Sequence, residues 1–194
     1  GADLDRLELP MQVRKNTAEH HTAFTVTVDA KYGITTGISS ADRSRTIQLL
    51  ANEEATPANF VQPGHVFPLR YEEGGVLVRA GHTEGSIDLV KMAGMHPAAV
   101  VCEVLNDDGT MARRPQLEKI ANKHGMPIVT IADVIAYRMS HEKLVERVAE
   151  ARLPTKHGIF TAVVYKSYVD PAEHMAVYMG EIDDSEPGIV RVES

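Results

Sequence analysis

Ala98-Ala99-Val100-Val101-Cys102-Glu103-Val104-Leu105 is a nearly unbroken apolar run, the mark of a strand buried on both faces. The carboxylate in its middle, Glu103, is costly there unless it is paired or functional. Downstream, Asn106-Asp107-Asp108-Gly109 is a strong turn signal. A helix is expected over 115–124, stopped by Gly125, then a second buried strand over 127–131. Residues 132–148 read as a helix with Val134, Ile135, Leu144 and Val148 on its apolar side.

Upstream, 22–30 (TAFTVTVDA) alternates β-branched and aromatic residues with smaller ones and predicts a strand. Gly33 and Gly37 break the chain around Thr35-Thr36. Ser40 or Asp42 then caps a helix carrying Ile47, Leu49 and Leu50. Prolines 57, 63 and 68 make the next stretch irregular, ending in a short strand over 66–70; a Glu72-to-Gly75 turn and a short strand over 76–78 follow. Thr83 is the expected N-cap of a helix over 84–93, with Ile87 and Val90 inward and Gly94 closing it. This alternation predicts an α+β fold, a three-layer α/β/α sandwich around a mixed sheet.

After this the pattern changes. Residues 149–158 have the composition of a linker, and 159–168, 174–180 and 189–192 read as strands, separated by Asp170-Pro171 and the acidic stretch 183–188. Roughly forty residues of strand and turn are too few for a core of their own. They read as the beginning of a second, β-rich domain, so the expected division is 1–148, a linker 149–158, and 159–194.

Bulk properties narrow the function classes. With 194 residues, 43% hydrophobic and 24% charged, the chain has globular composition. A formal charge of −7, from 20 basic and 27 acidic residues, argues against a nucleic-acid groove. No window is apolar enough for a membrane span and no secretory signal opens the chain. The start at Gly1 suggests that something upstream has been removed. One cysteine, Cys102, excludes an internal disulfide and a multi-cysteine zinc site, and the cytoplasm is the expected compartment.

Three patches carry chemistry. In Arg79-Ala80-Gly81-His82-Thr83-Glu84, Gly81 permits close backbone approach and a helix start favours an anion. Arg79 adds a planar guanidinium, Thr83 a hydroxyl and His82 a metal-capable imidazole. The plain alternative is a helix cap beside a surface arginine. His65, within Pro63-Gly64-His65-Val66-Phe67-Pro68-Leu69, is either a turn histidine or an acid/base group. Glu103 is either a satisfied core carboxylate or a general acid/base with a raised pKa. Thr35-Thr36-Gly37 with Ser39, Asp42 and Arg43 suits a sugar-phosphate pocket or ordinary turn chemistry.

Taken in order, these strings resemble the 3,4-dihydroxy-2-butanone 4-phosphate synthases of riboflavin biosynthesis. The matching residues are 22–28, 35–39 with Ala41-Asp42-Arg43, 63–69, 74–77, 79–84 and 103–112, spanning about 10–145. The resemblance implies a lyase that converts ribulose 5-phosphate to formate and a four-carbon phosphate, using Mg²⁺ or Mn²⁺, as a homodimer. It implies that Arg79, Ala80, Gly81, His82 and Thr83 hold the substrate together with Thr36 and Glu103. His82 would bind the metal, and His65 and Glu103 would be essential for catalysis.

The tail resembles the junction of a bifunctional form fused to GTP cyclohydrolase II. Arg191, Val192, Glu193 and Ser194 look like the opening of its GTP-contacting segment, with Glu193 where histidine is common. Its zinc site would lie downstream. The family's acidic N-terminal loop, a further source of metal ligands, has no counterpart in residues 1–11, so the chain looks trimmed at both ends and inactive by itself. The alternative reading is a non-catalytic phosphate-binding or dimerisation domain that keeps the fold.

Overall fold

The computed structural model describes residues 1–182 and 189–193. The chain divides into two units, Gly1–Ser140 and His141–Ser194, each with its own architecture. Helices and strands are mixed in the first, and beyond the helix end at His141 the described elements of the second are strands, in keeping with an α+β chain that ends in a β-rich part.

In the first unit, a short helix α1 (Ala2–Arg6) leads into Leu7 and Leu9, both fully buried. These leucines join Val28, Ala55 and Phe60 in the hydrophobic core, with Leu4, Val26, Leu49, Leu50 and Val66 packed around it. The TAFTVTVDA stretch is extended as expected. It forms bridges at Thr25 and Phe24, then the three-residue strand β1 (Val28–Ala30). Strand β2 (Phe60–Val66) runs antiparallel to β1, and the register slips between Val28 and Asp29. Gly64 sits at that slip. A Cβ there would lie 2.0 Å from the carbonyl carbon of Val28, so no other residue permits the approach.

Helix α2 (Ser40–Leu50) is capped by Ser39, whose hydroxyl accepts from the Asp42 amide, rather than by Ser40 or Asp42. Asp42 and Thr46, one turn apart, form its buried face. The Thr46 hydroxyl accepts from the Ala30 amide at 3.0 Å and so ties α2 to β1. Helix α3 (His82–Met92) begins two residues earlier than expected. Gly81 is its N-cap, and Thr83 lies inside the first turn. Its buried face is polar: Glu84, Gly85 and Asp88, while Ile87 and Val90 are only half-buried.

Asp88 accepts from the Val76 amide at 2.9 Å and from Arg138 Nη1 at 2.8 Å. The same Arg138 nitrogen donates to the Gly74 carbonyl at 2.7 Å. Arg138 belongs to helix α5 (Ile131–His141), so one buried ion pair joins α3, the 3-10 turn Gly75–Leu77 and α5. Gly75, at φ 66°, leaves room for the Asp88 carboxylate, which a Cβ would meet at 2.3 Å. Helix α4 (Arg114–His124) ends on Gly125 in the left-handed region, as expected.

Two expected strands are absent. Residues 98–105 and 127–130 belong to no ladder among the described residues, Ile131 already opens α5, and most of these side chains are exposed, Val100 at 64% and Val129 at 52%. Composition marks a segment as suited to burial, yet a strand also needs neighbours. Residues 106–112 return only a single Leu105–Met111 bridge around the expected turn, where Asp108 accepts from Thr110. Of the strand expected over 66–70, only Val66, the end of β2, and Leu69, bridged to Phe24, are in β structure, and 76–78 fall at the 3-10 turn.

The second unit is a three-stranded antiparallel sheet in the order β3 (Val145–Thr155), β4 (Gly158–Ser167), β5 (Glu173–Tyr178). β4 and β5 fall where strands were expected. β3 does not: it replaces the end of the expected 132–148 helix and most of the 149–158 linker. Ala, Glu and Arg favour a helix locally, but near-continuous pairing from Val145–Ser167 to Thr155–Gly158 outweighs that preference. Residues 189–193 are exposed and not in a strand, which corrects the expectation over 189–192. The acidic stretch 183–188 and Ser194 lie outside the described residues.

The Asp88–Arg138 pair is 3% and 13% exposed, so removing one partner strands a buried charge. We expect Asp88→Ala to lower stability by about 3 kcal/mol. Glu118→Ala, which breaks the exposed Arg114–Glu118 pair on α4, should cost about 0.5 kcal/mol or less. Urea unfolding followed by circular dichroism checks both; a loss near 0.5 kcal/mol for Asp88→Ala would contradict the role given to the buried pair.

Candidate functional site

The turn before α2 is built by one carboxylate. Asp42 Oδ2 accepts from the Thr35 hydroxyl at 2.7 Å and from the Gly37 amide at 3.0 Å, and Oδ1 accepts from the Thr35 amide at 3.1 Å. The Thr35 hydroxyl, followed by the Thr35 and Gly37 amides and the Ser39 side chain, holds Asp42 below the ordinary aspartate pKa against an opposing desolvation effect. Thr36 sits exposed at the tip of this turn. Gly37 is buried with φ 92°, and a Cβ on it would lie 2.3 Å from Asp29 Oδ2 and 2.7 Å from His65 Nδ1.

That contact leads to the next pair. His65, near the end of β2, has its ring Nδ1 2.7 Å from Asp29 Oδ2, and its backbone amide donates to Asp29 Oδ1 at 2.9 Å. The Asp29 side chain is 7% exposed, whereas that of His65 is 42% exposed. His65 is therefore a histidine anchored from behind by a buried acid, with its ring open on the other side. A turn histidine bonded to a carbonyl does not describe it.

The helix start at α3 supplies N–H groups without intrahelical partners, as the anion reading requires. Arg79 is less free than the sequence suggests. Its Nη1 donates to Glu84 Oε2 at 2.6 Å and its Nη2 to the His20 carbonyl at 3.0 Å. Glu84 is buried and also accepts from the Glu72 amide. A Cβ on Gly81 would come within 2.5 Å of both Arg79 and Glu84, so the glycine is required by this ion pair as much as by a ligand.

A cavity of about 850 Å³ joins the two parts. His65 and Thr83 line it, with Ser40, Arg43, Ser86 and Lys91 adding polar groups and Cys102 reaching it from the 98–105 segment. Thr36, Arg79, Ala80, Gly81, His82 and Glu103 do not line it. Glu103 is exposed on irregular chain, which corrects the expectation of a buried carboxylate. His82 is exposed at the start of α3, and among the described residues no group of three or more His, Cys, Asp or Glu side chains is arranged to hold a metal. One imidazole does not fit a hard divalent cation, which favours several oxygen ligands. In the second unit, Arg191 and Glu193 are exposed and pair with each other at 2.5 Å, and Val192 is exposed beside them.

Asp29 is the residue that sequence reasoning passed over. An acid inside a β-branched run was the signal that singled out Glu103, and Asp29 in TAFTVTVDA carries the same signal. Arg43, read within a segment suited either to a sugar-phosphate pocket or to turn chemistry, lies on α2 and lines the cavity.

Comparison with known proteins agrees with this division. The family model for 3,4-dihydroxy-2-butanone 4-phosphate synthase matches residues 1–137, and that for GTP cyclohydrolase II matches residues 146–194. A riboflavin biosynthesis protein RibBA of Salinispora arenicola is 53% identical over 192 residues, covering 99% of this chain and 46% of the relative. A 3,4-dihydroxy-2-butanone 4-phosphate synthase of Pseudomonas syringae is 53% identical over 186 residues, covering 96% of this chain and 50% of the relative. Among solved structures, the two-domain synthase RibBX of A. baumannii superposes with a TM-score of 0.80 at 46% identity, over 93% of this chain and 53% of that one. A synthase in complex with two magnesium ions gives a TM-score of 0.65 at 36% identity, over 72% of this chain and 70% of that one. The chain spans about half the length of the curated relatives it matches. With most of its length matched by one family model and relatives above 50% identity, the chain belongs to the 3,4-dihydroxy-2-butanone 4-phosphate synthase family.

Proposed function

We propose that the full protein is a lyase of riboflavin biosynthesis that converts ribulose 5-phosphate to 3,4-dihydroxy-2-butanone 4-phosphate and formate. The observation that supports this reading is the cavity lined by both His65 and Thr83, which brings an imidazole and a helix N-terminus to one small-molecule space. The phosphate is assigned to the start of α3, where His82 and Thr83 offer backbone N–H groups, with Gly81, Ala80 and Arg79 beside them and the Gly81 amide donating to the Arg79 carbonyl. Arg79 shapes this end through Glu84 and keeps further donors for the anion. His65 moves protons at the substrate's carbon skeleton, as a positioned imidazole does near neutral pH. Thr36 is assigned to the substrate from the exposed tip of the turn held by Asp42, outside the cavity lining.

Glu103 follows Cys102, which already reaches the cavity, and we assign it the second acid/base role. His82 contributes to binding a divalent cation, Mg²⁺ or Mn²⁺. Because the described residues do not complete a cation site, the steps given to His65 and Thr83 do not pass through the metal. The whole protein is read as a cytoplasmic homodimer with a second, GTP-using domain whose opening part is residues 146–194. In that domain Arg191, Val192, Glu193 and Ser194 are assigned to GTP and a zinc site lies further along. No helix among the described residues is long and apolar enough to cross a membrane.

A second reading, a non-catalytic phosphate-binding or dimerisation domain, is favoured by the exposed position of Glu103 and by the lone His82. Product analysis separates the readings, since a lyase releases one carbon as formate and a binding domain does not. In full-length protein, His65→Ala and Glu103→Ala should fold and lose formate release by about 100-fold or more. Activity within about threefold of wild type would remove those roles.

This chain alone should bind Mg²⁺ with a Kd weaker than about 100 μM, because one imidazole is a poor site for a hard cation. Titration calorimetry showing micromolar affinity would contradict this. Acid should also loosen the pocket rim. Asp42 has a depressed pKa in the folded state, so its contribution is present above the unfolded aspartate value and is lost as pH falls through the folded one. Urea midpoints between about pH 5 and pH 2 should fall more steeply for wild type than for Asp42→Asn. Parallel curves would contradict this.

A further inference from the structure

We propose that His96 is a proton-dependent clasp and a positioning residue of the cavity wall. As an imidazolium it ties the 97–102 segment to α1 and to the turn after α2; as a neutral ring it releases one of the two. His96 lies in the connection between α3 and that segment. Its ring Nδ1 is 2.9 Å from Glu53 Oε1, and its Nε2 is 3.1 Å from Asp3 Oδ2. Two ring nitrogens that each face a carboxylate are both satisfied only when both carry a proton, because a carboxylate accepts and does not donate. A neutral ring serves one carboxylate and turns a bare nitrogen toward the other, lone pair against lone pair.

The Asp3 side is the decisive one. Nε2 is buried and makes no hydrogen bond of ordinary geometry among the described residues, so attraction between charges holds it beside Asp3. Glu53, with its side chain 79% exposed, is the solvent-facing arm. The neighbouring cations are already engaged: Arg6 of α1 donates to Asp3 Oδ1 at 3.0 Å and to the Ala55 carbonyl, and Lys91 of α3 lies 4.2 Å from the centre of the Tyr71 ring. The clasp matters because the wall it holds has few other anchors. At its near end the Ala98 amide donates to the His96 carbonyl at 2.7 Å, and at its far end the Ala112 amide donates to the Val104 carbonyl at 2.9 Å. Among the described residues no backbone hydrogen bond holds 99–103 between these ends. Asp3 and Pro97, on either side of the ring, both line the cavity, as does Cys102 beside Glu103. The effect on Glu103 rests on the lyase reading; the clasp itself stands on geometry.

The test follows the ring and the wall together. In the ¹⁵N-labelled 194-residue chain, spectra recorded from about pH 5 to about pH 8 should show the amides of Asp3 and of 98–103 shifting with the same midpoint as the His96 ring nitrogens. In His96→Gln, which cannot take up a proton, that common midpoint should vanish from the amides. Amides that ignore pH, or that follow a different midpoint, overturn the proposal in the wild-type chain alone, even where the variant fails to fold. An unchanged pH response of the amides in His96→Gln overturns it as well. In full-length protein, the variant should lose formate release chiefly at low pH, where the wild type is clasped: about threefold or more at about pH 6 and less than about twofold at about pH 8, the size of one hydrogen bond. A ratio of variant to wild type that does not change with pH contradicts the positioning role. The expected amide titration in a protein that releases no formate supports the clasp and counts against the lyase reading.

Discussion

A buried carboxylate cannot be left with empty acceptor sites, and Asp42 meets that constraint by gathering the chain around it. Its oxygens take both donors of Thr35 and the amide of Gly37, while its own amide is taken by Ser39. The result is a turn whose tip carries Thr36 and whose glycine presses against Asp29 and His65. Helix α2 continues from the same residue, and its Thr46 reaches back to the Ala30 amide next to Asp29. A single satisfied acid thus sets the helix, the turn and the neighbourhood of the histidine.

The other side of the cavity follows the same logic. Glu84 and Asp88 lie on the buried face of α3, and each is matched by an arginine, Arg79 at the start of the helix and Arg138 from α5. Buried ion pairs of this kind add little net stability but are costly to break, so they fix where a helix begins and how it is turned. Here they orient the start of α3 so that Thr83 faces the cavity that His65 lines. Polar pairing, more than apolar packing, positions both ends of the site, while the hydrophobic core around Leu7, Leu9 and Phe60 supports it from below.

Legibility in the sequence tracked how local the cause was. Helix α4 with Gly125, the Asn106-to-Gly109 turn, and strands β4 and β5 rest on short-range signals and were expected nearly where they lie. The start of α3 was misplaced because Gly81 and Thr83 both suit an N-cap, and the Arg79–Glu84 pair that requires glycine is visible only in three dimensions. β3 was missed because its strand state comes from pairing with β4 rather than from its own composition. The 98–105 run shows the opposite failure: its apolar residues predicted burial, which needs strand neighbours that no local pattern can guarantee. For the site, motif chemistry pointed to His65, His82, Glu103 and the Arg79 stretch. It missed that Asp29 anchors His65 and that Glu84 occupies Arg79.

The central claim is that His65 and the start of α3 serve one sugar-phosphate site. The most direct measurement is a titration of the ¹⁵N-labelled chain with ribulose 5-phosphate, following the Thr83 amide and the His65 ring together. We expect both signals to shift with one common dissociation constant, and inorganic phosphate to move the Thr83 amide while leaving the His65 ring largely unmoved. Shifts confined to other parts of the chain, or two unrelated constants for the two signals, would contradict a shared site.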